Sequence, residues 1–184
     1  MNSGLIATRY ATALLRFAED TKSTEKVYEE MKVLAGTFEI THELNAALDN
    51  PVISKDTKKN LILTSAGKNV CPATERFIDL ILTKKREAFL QSISLRYIDL
   101  YRTRKNIHKA VITTATAIDA QTEKKLIGYI ESEIKGKVEF EMKIDEAILG
   151  GFMIEVGSNR WDFSLSNQLR RIRQEYIKLN NSIL

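Results

Sequence analysis

A chain of 184 residues with 43% hydrophobic content can build one large domain or two small ones, each with its own core. Its single cysteine, Cys71, excludes an internal disulfide and a cysteine metal cluster, and no window holds the roughly 18 consecutive apolar residues that a membrane-spanning helix requires. The net charge of +4 is unevenly placed: between Lys84 and Lys109 eight basic residues stand against two acidic ones, the one segment basic enough to serve as an electrostatic footprint.

Met1-Asn2-Ser3-Gly4 leads directly into helix-like sequence with no apolar signal core or Arg-rich transit segment, so nothing points to export or organelle import. Ile6, Tyr10, Ala13, Leu14 and Phe17 recur at helical spacing and make a first apolar stripe. Ala7, Ala11 and Ala18 join Ala13 in giving this helix small side chains on more than one side, which let another helix approach closely or leave a shallow groove. Core packing accounts for most of these alanines, and a groove is the sharper alternative. Val27, Met31, Leu34 and Phe38 mark a second helix. Leu44 and Leu48 fit a short third, closed at Asn50-Pro51 because the residue before proline is pushed out of helical angles. Ser54 caps a fourth that runs through Leu61 and Ile62 and ends near Gly67. Pro72 suits the first turn of a fifth, with Cys71 packed at its start. The sixth begins near Lys85 and carries Phe89, Leu90, Ile93, Tyr97 and Leu100 as a core face, which makes the accompanying basic residues its solvated face. Six short amphipathic helices with brief connections predict a bundle over residues 1–105.

The register changes after Arg104-Lys105-Asn106. Ile107 to Ala115 is rich in β-branched residues and reads as a strand. Asp119 or Thr122 then opens a helix with Leu126, Ile127, Ile130 and Ile134 on one face, ended by Gly136. Val138, Phe140, Met142 and Ile144 alternate with Glu139, Glu141 and Lys143, as do Phe152, Ile154 and Val156 after Gly150-Gly151, so the two segments read as antiparallel strands. Gly157-Ser158-Asn159 supplies a turn, and Arg160 to Phe163 is a short third extended piece. Asp162 or Ser164 caps a last helix whose Leu165, Leu169, Ile172, Tyr176 and Leu179 form a seam expected to cover the sheet. The fold class is thus α+β: an amino-terminal six-helix bundle followed by a small carboxy-terminal α/β domain over residues 106–184.

Catalytic patterns are missing from the sequence. Gly150-Gly151 is followed by more strand rather than by a helix and a Lys-Ser/Thr pair, so it serves a turn and not a phosphate. His42 and His108 have no carboxylate or cysteine at ligand spacing. Asp145, Glu146 and Asp162 come near one another in the expected fold, yet a hairpin acid and a capping acid need no catalytic role. No nucleophile has an evident base, and no cofactor is expected. A nucleic-acid reading of the basic stretch fails on its aromatics, which sit at core spacing, and on the missing Lys/Arg-Gly-aromatic run.

The run from Ile144 through Ala147-Ile148-Leu149-Gly150-Gly151 to Gly157, then Asp162-Phe163-Ser164 and a helix, closely resembles the carboxy-terminal signature of one family. That family is the delta subunit of bacterial F-type ATP synthases, whose mitochondrial relative is the oligomycin sensitivity-conferring protein. Thr8-Arg9-Tyr10-Ala11-Thr12-Ala13-Leu14 resembles its opening helix, and a third block runs from Phe77 through Leu80, Arg86, Leu90, Ile93 and Tyr97 to Leu100. The blocks follow family order over nearly the whole chain, although Trp161 replaces a smaller aliphatic and Ser158-Asn159 a more common acidic turn. The resemblance implies a non-catalytic stator subunit of a proton- or sodium-translocating synthase, peripheral on the cytoplasmic face of the bacterial plasma membrane and not inserted in it. It implies that the bundle binds amino-terminal segments of the alpha subunits in a groove between the first and fifth helices, where Ala7, Tyr10, Ala11, Ala13 and Leu14 would face Phe77, Ile78 and Ile81. It implies that the carboxy-terminal domain meets the b-type stalk subunits, and it marks Arg86 of the bundle and Gly150, Gly151 and Asp162 of the second domain as structural motif residues, with no nucleic acid involved.

Overall fold

The computed structural model describes residues 3–133, 137–157 and 159–181, and the chain divides into two compact units, Met1–Lys105 and Asn106–Leu184. The expected helix end at Ile134 to Gly136, the turn residue Ser158 and the side chains of Tyr176 and Leu179 lie outside the described residues.

The first unit is helical: α1 (Ser3–Asp20), α2 (Thr24–Ile40), α3 (His42–Asp49), α4 (Lys55–Ala66), α5 (Pro72–Thr83), a 3-10 turn at Glu87–Phe89 and α6 (Leu90–Lys105). Helix α6 is the axis of the core, burying Leu90, Ile93, Tyr97, Ile98 and Tyr101 against α1 and α2. Burial lifts the Tyr97 phenol above its ordinary value. Helix α1 meets α6 through Ala7, Ala11, Leu14 and Ala18, all buried, whereas Ile6, Tyr10 and Phe17 are half-buried and Ala13 is exposed. The expected stripe is therefore rotated by about one residue. Alanines let α1 lie close against α6, and the larger side chains turn toward the rim.

Two helix ends are built by lysines in the left-handed region. Lys22 (φ 53) lets Ser23 N–H reach the Ala18 carbonyl at 2.9 Å, and Lys85 (φ 53) lets Arg86 N–H reach the Ile81 carbonyl at 3.0 Å. The second reversal explains why α6 starts at Leu90 rather than near Lys85. Ser54 caps α4, its Oγ accepting from Thr57 N–H at 3.2 Å. The amino end of α5 is capped from a distance: Glu30 of α2 accepts from Cys71 N–H at 2.7 Å and from Cys71 Sγ at 3.3 Å.

The second unit runs β1 (Ile107–Thr114), α7 (Ala120–Glu133), β2 (Lys137–Ile144), a 3-10 turn at Glu146–Ile148, β3 (Phe152–Val156), β4 (Asn159–Asp162) and α8 (Leu165–Asn181). Asp119 opens α7, its Oδ2 accepting from the Gln121 and Thr122 N–H groups at 3.0 Å. The sheet order is β2-β1-β3-β4, with β1 parallel to β2 and antiparallel to β3, and β3 antiparallel to β4. The expected pairing of β2 with β3 is thereby corrected: their directions are opposite, but β1 lies between them. Crossover through α7 returns the chain beside β1 in parallel, and Ile112 then stands opposite both Met142 and Ile154. Ala110, Ile112, Ile130 and Ile154 form the core, with Ile127, Val138, Phe140, Met142, Phe152 and Val156 packed on it. Helix α7 supplies the helical side of that core. Among the described side chains of α8, Leu165, Leu169 and Ile172 are all exposed, so this part of the expected seam does not cover the sheet.

Candidate docking surfaces

Rotation of α1 leaves its second face open. Leu5, Ile6, Arg9, Tyr10 and Ala13 combine with Leu80 of α5 and Arg86 of the following reversal to line a groove of about 350 Å³. Leu5 is 65% exposed and Leu80 44%, so apolar carbon is left uncovered there. Of the residues singled out from sequence, Tyr10 and Ala13 line this groove, and so does Arg86, marked as a structural motif residue. Ala7, Ala11, Leu14, Phe77, Ile78 and Ile81 do not: each is at least 95% buried in the core, because they pack α1 and α5 onto the rest of the unit. Leu5, Arg9 and Leu80 were missed, although Leu5 and Arg9 stand one helical turn apart beside Tyr10 and Ala13.

Arg86 is half-buried, with its guanidinium 6.0 Å from the Phe89 ring centre. The turn that follows it is pinned by Glu87, whose Oε1 accepts from Lys58 Nζ at 2.9 Å. The same ammonium donates to the Leu48 carbonyl, so one buried cation ties α3, α4 and the 3-10 turn together. Burial pushes the Glu87 carboxyl up, but the Lys58 hydrogen bond and charge outweigh it and hold the group below its ordinary range. A cavity of about 490 Å³ opens beside this pair, lined among others by Asp49, Lys55 and Lys85. Its charge is mixed, and Lys55 already donates to Thr83 Oγ1 at 2.7 Å.

In the second unit uncovered apolar side chains gather in a strip along β4 and α8, while Tyr129, Ile144 and Leu149 are exposed elsewhere. Trp161, Phe163, Leu165, Leu169 and Ile172 are each roughly half exposed. Its inner end is anchored by Phe152, whose ring centre lies 5.2 Å from that of Phe163. The start of α8 is fixed by backbone chemistry: Leu165 N–H donates to the Gly150 carbonyl at 2.9 Å and Phe163 N–H to the Phe152 carbonyl at 3.0 Å. Gly151 (φ 73) permits this approach, since a Cβ there would sit 2.4 Å from the Phe163 carbonyl oxygen. Ser164 is the cap of α8, accepting from Asn167 N–H at 3.2 Å, and Asp162 holds Ser164 by accepting from its N–H at 3.0 Å and from its hydroxyl. Those bonds lower the Asp162 carboxyl below its usual range. Gly150-Gly151 thus sits in sequence between a 3-10 turn and a strand, and the Gly150 carbonyl rather than an anion accepts from the first turn of α8.

Several charges of the basic stretch are used within the chain. Arg104 pairs with Glu19 at 3.1 Å, Arg102 donates to Tyr28 Oη at 3.1 Å, and Lys109 pairs with Glu141. Among the described residues no group of three His, Cys, Asp or Glu is placed to hold a metal, and no helix is long and apolar enough to cross a membrane.

The family model described as ATP synthase delta (OSCP) subunit matches residues 6–175. The ATP synthase subunit delta of Phocaeicola vulgatus is 40% identical over 185 residues, covering 100% of both chains. Those of Bacteroides fragilis and Prochlorococcus marinus are 37% and 33% identical, covering 100% and 95% of this chain and 100% and 96% of their own. A chain from the cryo-EM structure of the Toxoplasma gondii mitochondrial ATP synthase hexamer shares the fold, with TM-score 0.65 over 93% of this chain and 97% of its own at 20% identity. A family model over residues 6–175 and relatives up to 40% identical over the full chain lead to one conclusion: the chain belongs to the ATP synthase delta (OSCP) subunit family, a non-catalytic component of the peripheral stalk.

Proposed function

We propose that this protein ties the catalytic head of an F-type ATP synthase to its peripheral stalk through two different surfaces. The observation that carries the reading is that folding leaves open apolar surface on each unit, including the α1–α5 groove and the β4–α8 strip. The six-helix bundle of residues 1–105 receives amino-terminal helical segments of the alpha subunits at the groove. The small α/β domain of residues 106–184 meets the carboxyl ends of the b-type stalk helices along the strip. Both are helix-in-groove contacts, and linking them in one chain raises the effective concentration of each partner for the other. The work is mechanical: the link holds the head still against rotor torque driven by protons or sodium ions. The protein acts at the cytoplasmic face of the bacterial plasma membrane as a peripheral subunit.

The test is recovery of the tagged protein from its native membranes followed by identification of its companions. Alpha and b subunits are expected together from the unaltered chain. Leu80→Glu should lose alpha and keep b, whereas Leu169→Ser with Ile172→Ser should do the reverse. Loss of both partners by either folded variant would sink the assignment of one surface to each.

A further inference from the structure

The α1–α5 groove combines an apolar floor with two guanidinium groups, and the charge has no counterpart nearby. Arg9 and Arg86 both line it, and neither pairs with a carboxylate among the described residues. The acids that α5 could offer are drawn elsewhere: Glu75 and Asp79 both close on Lys59, at 3.0 and 2.9 Å. Before Glu19, helix α1 has no acidic residue at all. The groove therefore carries net positive charge over an uncovered apolar surface made by Leu5, Ile6, Tyr10 and Leu80.

We propose that Arg9 and Arg86 select the partner helix by its carboxylates: the alpha-subunit segment that enters this groove presents acidic side chains beside its apolar face, and the two arginines fix its register and direction. This rests on the head-docking reading above and adds to it the chemistry of recognition. Apolar area alone gives affinity without orientation, because a stripe can be met from either direction. A pair of planar cations contributed by different segments removes that ambiguity, since guanidinium binds carboxylate with fixed fork geometry. Partial burial of Arg86 beside Phe89 pre-positions its group and lowers the entropy lost on pairing.

The experiment titrates the full chain with a synthetic peptide of the alpha amino-terminal segment, and with the same peptide carrying Asp→Asn and Glu→Gln throughout. Arg9→Gln and Arg86→Gln should each weaken the acidic peptide about fivefold, and the amidated peptide should be weaker and insensitive to both replacements. Arg86→Lys keeps the charge and serves as the second variant should Arg86→Gln disturb the fold. Added salt should weaken only the acidic peptide. Binding of both peptides with equal affinity, indifferent to salt and to either arginine, would overturn carboxylate selection while leaving the docking reading intact. No binding of either peptide, or binding undiminished by Leu80→Glu, would overturn the docking reading and this inference with it.

Discussion

Lys58 Nζ lies 2.9 Å from Glu87 Oε1, with the two side chains only 7% and 16% exposed. Removing one member of such a pair leaves a buried charge without compensation, a loss of about 3–5 kcal/mol. Lys58→Met should therefore lower the stability of the first unit severely, because Glu87 Oε2 already has no hydrogen-bond partner among the described residues. Lys58→Met combined with Glu87→Gln should recover part of the loss. Denaturant unfolding of the unaltered protein, both single variants and the double variant checks this, and additive effects would show the two residues to be uncoupled.

The same pair sets an acid dependence. The Glu87 carboxyl is held below its ordinary range in the folded chain, so its contribution is full above the unfolded value, about 4.3, and is lost as pH falls through the folded value. Acid melting curves of the unaltered protein and Glu87→Gln should converge as pH drops below about 4. Parallel curves throughout that range would contradict the linkage.

Lysines at positive φ are expensive places to keep a Cβ. Lys22→Gly and Lys85→Gly should each raise stability by about 1 kcal/mol, by relieving the left-handed strain at φ 53 without touching the bonds that close α1 and α5. Thermal melting reports the change directly, and a drop in melting temperature for both would refute the strain assignment.

Two glycines of the second unit make a matched comparison. Gly151→Ala forces a collision with the Phe163 carbonyl as well as backbone strain, whereas a Cβ at Gly157 (φ 60) meets nothing within 4 Å. The first replacement should cost clearly more than the roughly 1–2 kcal/mol of left-handed strain expected for the second. Gly128, exposed inside α7 with open space around it, should instead gain about 1 kcal/mol on replacement by Ala. Equal losses at Gly151 and Gly157 would mean that the Phe163 contact is not limiting.

Because Leu169 and Ile172 of α8 are exposed, both can be altered without unfolding the unit. Leu169→Ser with Ile172→Ser should change thermal stability by no more than about 0.5 kcal/mol, as exposed positions do. A large loss of cooperative melting would place these side chains in the core after all.

Helix existence was legible in the sequence wherever a chemical signal marked an end. Ser54, Pro72 and Asp119 each act locally, within three residues of the groups they satisfy. Orientation was less legible. On α1 the expected stripe of Ile6, Tyr10, Ala13, Leu14 and Phe17 was right at Leu14, and the core use expected for most of the alanines holds for Ala7, Ala11 and Ala18. Ile6, Tyr10 and Phe17 are only half-buried, because close approach to α6 matters more there than apolar volume. Strand order was hidden for another reason: alternation in β2 and β3 fixes which side faces the core but contains nothing about which strand lies between them. The capping of Cys71 by Glu30 joins residues 41 positions apart, beyond any motif. The groove arginines were visible as residues but not as a pair, since only the reversal at Lys85 brings Arg86 beside α1.

A helix held at one end by Gly150 and Ser164, with its apolar side uncovered, has a further effect on the cell that makes it. A copy with nothing seated on that side displays Leu165, Leu169 and Ile172 to chaperones and proteases, which act on exposed apolar segments that stay accessible. Turnover of the isolated chain is therefore expected to slow once a bound partner covers those side chains.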